Sequence, residues 1–129
     1  MARILVIDDD AAVRDALTFV LRAYGFDVVG VDEGMKGIAA LDEGSIDLLI
    51  VDRYMPRMDG LEVIKSVRAK RPKLPIIAMS GSIDENFVAS SDLPTGADFG
   101  PIKSLPKPLK ADRLISLVKQ LLSADGGAH

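Results

Sequence analysis

Ile4-Leu5-Val6-Ile7-Asp8-Asp9-Asp10 is a run of aliphatic side chains stopped by three consecutive carboxylates. A continuous apolar run, rather than an alternating one, is the pattern of a strand buried on both faces. Beyond the acids, apolar residues recur at Val13, Ala16, Leu17, Val20, Leu21 and Tyr24, the spacing of one helix face. Asp10 is placed to cap that helix and Gly25 to stop it. The stretch therefore predicts a buried strand leading through an acidic turn into a helix.

The same unit repeats along the chain. Asp27–Val31 predicts a second strand, and Gly34–Glu43 a short glycine-interrupted helix closed by Gly44. Ile46–Val51 predicts a third strand, with Asp52–Asp59 a loop around Pro56 and Gly60–Lys70 a helix striped by Leu61, Ile64 and Val67. Pro72 and Pro75 bracket the turn into a fourth strand, Ile76–Met79. A weak helical stretch near Asp84–Ser90 precedes a short strand around Ile102–Leu105 and a last helix over Ala111–Ser123. The expected organisation is one domain, residues 1–123, and a C-terminal tail, 124–129. Alternating buried strands and helices imply a parallel sheet with helices on both faces. Such sheets place their sites at the carboxyl ends of the strands.

Composition narrows the function classes. The 129 residues are 48% hydrophobic but only 5% aromatic, so the core is aliphatic. Cysteine is absent, which removes disulfides, thiolate catalysis and Cys-based zinc sites. The net charge of -3 gives no basic face for nucleic acid. The cations Arg68, Lys70, Arg71 and Lys73 read as charges favoured near a helix C-terminus. No apolar run reaches the roughly 20 residues that span a bilayer. The expectation is a cytoplasmic protein with neither a membrane nor a nucleic-acid partner.

At the strand ends stand Asp8 and Asp9, Asp52, Ser80 and Lys107. Taken singly, each has a plain structural reading as a cap or a turn residue. Together they gather three carboxylates at one sheet edge. Two such groups about 5 Å apart repel by roughly 3 kcal/mol at an effective dielectric of 20. A cation relieves that repulsion, and oxygen ligands without His or Cys favour Mg²⁺, Mn²⁺ or Ca²⁺ over zinc.

These motifs resemble those of the receiver domain of two-component response regulators. The resemblance is carried by Ile4 to Asp10, by the stretch Asp47-Leu48-Leu49-Ile50-Val51-Asp52-Arg53-Tyr54-Met55-Pro56-Arg57-Met58-Asp59-Gly60, and by Leu74 to Gly81. It continues through Gly96-Ala97-Asp98 and Leu105-Pro106-Lys107-Pro108, and so spans nearly the whole chain. It implies an α/β (βα)5 doubly wound, flavodoxin-like fold with a five-stranded parallel sheet in the order 2-1-3-4-5. It implies that Asp52 is the phosphoacceptor, served by a histidine kinase or phosphotransfer protein. Mg²⁺, or alternatively Mn²⁺, would be held by Asp9, Asp52 and the main-chain carbonyl of Tyr54, with Asp8 acting mostly through water. Lys107 would pair with Asp52 and then with a phosphate oxygen, and Ser80 would donate its hydroxyl. Pro56 and Gly60 would shape the loop after Asp52, Pro56 by fixing φ and Gly60 by tolerating the turn. The expectation is a stand-alone regulator, monomeric or a weak phosphorylation-dependent dimer, with the alternative that the chain is the receiver part of a larger protein. The chain would catalyse only its own phosphorylation and dephosphorylation, and would signal to an unidentified downstream protein.

Two features depart from the family pattern. The interval from Ser80 to Lys107 is longer than usual, with Phe99-Gly100-Pro101-Ile102-Lys103 intervening. Ser104 stands where the family places an aromatic switch residue. The expectation is an atypical output face with a short or mobile fourth helix; Phe99 either replaces the switch or packs under the loop. Two alternatives remain. One is a non-phosphorylated interaction module on the same scaffold. The other is a Mg²⁺-dependent phosphatase, whose usual second acid would fall at Tyr54.

Overall fold

Side chains along each inner strand divide by parity into two cores. Leu5, Ile7, Leu49, Val51, Ile76 and Ala78 enter one, while Ile4, Val6, Leu48, Ile50, Ile77 and Met79 enter the other. Successive strand side chains point to opposite faces, so the continuous apolar runs require helices on both sides of the sheet. A computed structural model describes residues 2–80 and 98–126. Within them the order is β1 (Arg3–Ile7), α1 (Ala11–Ala23), β2 (Asp27–Val31), α2 (Gly34–Glu43), β3 (Leu48–Asp52), α3 (Gly60–Lys70), β4 (Ile76–Ser80), β5 (Ile102–Pro106) and α4 (Ala111–Gly126). The expected helix near Asp84–Ser90, and Gly81, Gly96 and Ala97, lie outside the described residues.

All five strands are parallel, in the order β2-β1-β3-β4-β5. Leu41, Val63, Ile64 and Val67 bring α2 and α3 to the first core. Leu17, Leu21, Leu114 and Val118 bring α1 and α4 to the second. The sheet thus has the predicted architecture, with some shifts in detail. β3 begins at Leu48, not Ile46. Arg3 and Asp47 tie the strand's approach down, the Arg3 amide donating to Asp47 Oδ2 and the Asp47 amide to the Arg3 carbonyl, both at 2.8 Å. Asp52 is the last residue of β3, not the first of the loop, because it still pairs with Met79. The buried stripe of α3 includes Val63 and Arg68, whereas Leu61 is only partly buried. α4 runs past Ser123 to Gly126.

The helix ends follow the expected local chemistry. Asp10 Oδ1 accepts from the amides of Ala12 and Val13 at 2.9 and 3.4 Å. At the other end of α1, Gly25 sits at φ 90. Its amide donates to Arg22 O and the Phe26 amide to Leu21 O, the paired bonds of a Schellman motif. Asp59 and Glu62 form a reciprocal capping box at the start of α3. Replacing Asp59 with Ala removes the acceptor for the Glu62 amide. Asp59→Ala is expected to lower the unfolding free energy by about 1 kcal/mol, measured as a shifted urea midpoint at unchanged slope.

Candidate phosphoacceptor site

Parallel register brings the strand ends together. Ile7 pairs with Val51, Asp52 with Met79 and Ser80 with Pro106, so Asp52 and Ser80, the last residues of β3 and β4, meet Asp8 and Lys107, the residues that follow β1 and β5, at one edge. Main-chain bonds hold them there. The Asp8 amide donates to Val31 O at 3.2 Å, the Arg53 amide to Met79 O at 2.8 Å and the Lys107 amide to Ser80 O at 2.8 Å. Each strand exits with its functional side chain already placed.

Asp8 and Asp52 are buried and Asp9 is exposed, and one carboxylate oxygen from each lies within 4.8 Å of the other two. Lys107 Nζ reaches Asp8 Oδ2 at 3.2 Å and Asp52 Oδ1 at 3.4 Å. Asp8 Oδ1 accepts from the Asp10 amide at 2.9 Å, and the Asp8 carbonyl accepts from the Arg14 guanidinium at 2.7 Å. The Tyr54 amide lies 3.4 Å from Asp52 Oδ1. The Tyr54 ring is exposed and stacks against the Arg53 guanidinium at 4.9 Å. Ser80 is buried at the end of β4. The strand-end residues expected to form the site therefore converge: Asp8, Asp9, Asp52, Ser80 and Lys107 share one edge, with Tyr54 two residues beyond Asp52.

The loop after Asp52 reaches its shape by routes the sequence did not announce. Gly60 does not need a left-handed φ. A Cβ there would collide with the main chain of Asp52 and Arg53, so only glycine lets α3 start against the end of β3. The left-handed residue of the loop is Arg57, at φ 69, within a tight turn closed by the Met58 amide on Pro56 O at 2.8 Å. Arg57 is fastened by its ion pair with Glu33 at 3.0 Å. No Gly or Asn marks that position, which is why the sequence signal missed it. Lys107-Pro108 is a cis peptide.

Charge at the edge is unbalanced. Burial and then the Asp8 carboxylate push Asp52 above its ordinary pKa, and Lys107 with the Tyr54 amide offset only part of that. Burial would lower Lys107, but Asp8 and Asp52 prevail and raise it. Three carboxylates within 4.8 Å of one another, Asp8, Asp9 and Asp52, meet the Lys107 ammonium, which reaches Asp8 and Asp52. An all-oxygen set of this kind, with one member exposed, fits a hard divalent cation that keeps open positions for water and phosphate oxygens.

The raised pKa of Asp52 fixes the sign of a stability effect. The folded chain holds that proton to a higher pH than the unfolded chain, whose value is near 3.8. As pH rises from below 3.8 through the folded value, ionisation of Asp52 subtracts stability. Asp52→Asn, neutral and of the same shape, is expected to raise the thermal midpoint of the chelator-treated protein at pH 7. Its advantage shrinks as pH falls through that window, and added Mg²⁺ stabilises the parent chain more than the variant. A lower midpoint for Asp52→Asn in chelator at pH 7 contradicts this electrostatic account.

Comparison with known proteins agrees with the geometry. The profile of the response regulator receiver domain matches residues 4–119. The transcriptional regulatory protein FixJ of Bradyrhizobium diazoefficiens is 34% identical over 119 residues, which covers 92% of this chain and 56% of FixJ. The response regulator MprA of Mycobacterium avium is 34% identical over 122 residues, covering 93% of this chain and 50% of MprA. The chain thus spans about half the length of these curated relatives. Among solved structures, a response regulator receiver protein from Sinorhizobium medicae superposes with a TM-score of 0.82 at 32% identity, covering 96% of each chain. A receiver domain protein from Clostridium thermocellum gives 0.83 at 25% identity, again over 96% of each. Buried strand ends, an acidic cluster and an ammonium in this order, with a family match across most of the sequence, make this chain a member of the response regulator receiver domain family of two-component signalling.

Proposed function

We propose that Asp52 accepts a phosphoryl group from the phosphohistidine of a histidine kinase or phosphotransfer protein, and that the modified domain then binds a downstream protein differently. The observation that carries this reading is the position of Lys107 Nζ, within ion-pair reach of both Asp8 and Asp52. One Asp52 carboxylate oxygen attacks phosphorus. The P–N bond of the donor breaks, its electron pair returns to the imidazole, and an acyl phosphate remains on Asp52. Asp9, Asp52 and the Tyr54 carbonyl would hold Mg²⁺, with Asp8 orienting it through water. When bound, the ion supplies charge neutralisation to the phosphoryl oxygens. Lys107 exchanges its contact with Asp52 for a phosphoryl oxygen, acting as a point charge. Ser80 donates its hydroxyl to another. The chain catalyses only its own phosphorylation and dephosphorylation and turns over no external substrate.

A new charge of about −1.5 to −2 then sits where one carboxylate stood. Readout at the β5 side differs from the usual aromatic switch. Ser104 pairs with Ala78 in the sheet and offers no ring, and Phe99 is partly buried before β5.

Delivery of the phosphoryl group needs a partner seated beside the acids. An apolar groove of about 600 Å³ runs between α1 and α4, lined by Val13, Ala16, Val20, Pro108, Leu109 and, at one end, Lys107. This groove suits an amphipathic helix of the donor, laid with its apolar face against α1.

Incubation with acetyl phosphate and Mg²⁺, read by intact mass, is expected to give one phosphoryl adduct that is absent in Asp52→Asn and in chelator. No adduct from acetyl phosphate or from a donor kinase would favour the non-phosphorylated interaction module. Ala16→Glu places a charge in the groove and is expected to slow transfer from the protein donor by on the order of 10-fold, with acetyl phosphate labelling unchanged. Equal rates from the protein donor would remove the groove from the docking surface.

A further inference from the structure

Arg68 is the buried ion that the phosphoacceptor chemistry does not use. It is 2% exposed, although the sequence groups it with the surface cations Lys70, Arg71 and Lys73. Those neighbours behave as surface groups: Lys70 pairs with Asp42 at 2.8 Å and Arg71 donates to Leu41 O at 2.9 Å. Arg68 instead points inward, and among the described residues no carboxylate pairs with it. Its Nη1 donates to Leu74 O at 2.6 Å and Arg71 O at 3.2 Å, and its Nη2 to Gly100 O at 2.8 Å and Pro101 O at 3.4 Å. Nε is buried without a partner. Four main-chain carbonyls from the end of α3, the turn into β4 and the approach to β5 thus converge on one guanidinium. Its planar fork can bridge them, and an ammonium cannot.

What the fork grips is the start of β5. Among the described residues this strand pairs only with β4, and of its five side chains only Leu105 is buried. Burial therefore specifies its register weakly, and strands of that kind are prone to slip. Around Arg68 the approach is pinned from several sides. The Gly100 amide donates to Pro72 O at 2.8 Å, the Ile76 amide donates to Pro101 O at 2.9 Å, and a Cβ on Gly100 would strike Lys73 O. At the far end the next residue is Lys107, 3.2 and 3.4 Å from Asp8 and Asp52. A slip of one residue moves that ammonium by about 3.3 Å, enough to break both contacts.

We infer that Arg68 is a positioning residue for phosphorylation of Asp52: by clasping the main chain where β5 begins, it fixes where β5 delivers Lys107. The clasp also gives the segment Phe99 to Lys103, which sets this chain apart from the family pattern, a definite place to dock. The inference rests on the role of Lys107 proposed above.

A double-mutant cycle tests it. Acetyl phosphate labelling at saturating Mg²⁺ is measured for Arg68→Met and for the milder Arg68→Lys, each in the parent and in a Lys107→Met background. Leu21→Ala, in the core under α1, serves as a control for lost stability. Arg68→Met is expected to slow labelling by on the order of 10-fold or more, Arg68→Lys by less, and neither to slow it further once Lys107 is absent. Leu21→Ala labels at the parent rate. Parent-like labelling of both Arg68 variants, a full additional loss in the Lys107→Met background, or an equal loss in Leu21→Ala overturns the inference. If Arg68→Met fails to fold, Arg68→Lys decides by the same cycle. A parent chain that takes no phosphoryl group would sink the functional reading instead. The ¹⁵N resonance of the Lys107 ammonium in metal-free Arg68→Lys would then decide: displacement from the parent position supports the clasp, and an unmoved resonance overturns it.

Discussion

Like-charge repulsion at the carboxyl edge of the sheet is the constraint around which this domain is organised. Asp8, Asp9 and Asp52 present oxygens within 4.8 Å of one another, and each pair repels by about 3 kcal/mol at an effective dielectric of 20. The amides of Asp10 and Tyr54 offset only part of that repulsion, and the arrangement persists because the surrounding fold over-determines it. Two fully packed cores hold β1 and β3 side by side, and the register of their pairing leaves Asp8 beside Asp52. Lys107, just after β5, supplies one compensating charge, yet burial and then the Asp8 carboxylate still leave the pKa of Asp52 raised. A domain strained in this way is poised for a cation and for the neutralising rearrangement that follows phosphoryl transfer.

The supporting features share that purpose. Gly60 allows α3 to start against the backbone of Asp52 and Arg53. Arg57, held at a positive φ and paired with Glu33, closes the loop between β3 and α3. Arg14 grips the carbonyl of Asp8, fixing the turn that presents both N-terminal acids. Catalytic geometry of this kind depends less on the reacting groups than on what prevents them from moving apart.

Much of this was legible in the sequence, for identifiable reasons. Short continuous apolar runs rich in branched residues, such as Ile4–Ile7 ahead of an acidic turn, read as strands covered on both faces, and parallel strands carry their end residues to one edge, so Asp8, Asp9, Asp52, Ser80 and Lys107 could be grouped from the sequence. Asp10 and Gly25 announced the limits of α1 through capping chemistry that depends on nearest neighbours. What stayed hidden depends on contacts distant in sequence. Arg68 lies one turn beyond Ile64, on the buried face of α3, so the helical period did mark it. A cation there reads as surface charge unless the carbonyls of Leu74, Gly100 and Pro101 are known to meet it. The need for glycine at position 60 likewise comes from the main chain of Asp52 and Arg53, not from its own φ. The shift of β3 toward Asp52 followed from pairing with β4, which no local pattern encodes.

Calorimetric titration of Mg²⁺ into the metal-free protein tests the central electrostatic claim most directly. The account predicts one binding site per chain, weakened in Asp9→Asn, and tightened in Lys107→Met, where the competing ammonium is gone. Failure to bind Mg²⁺, or binding indifferent to both substitutions, would contradict it.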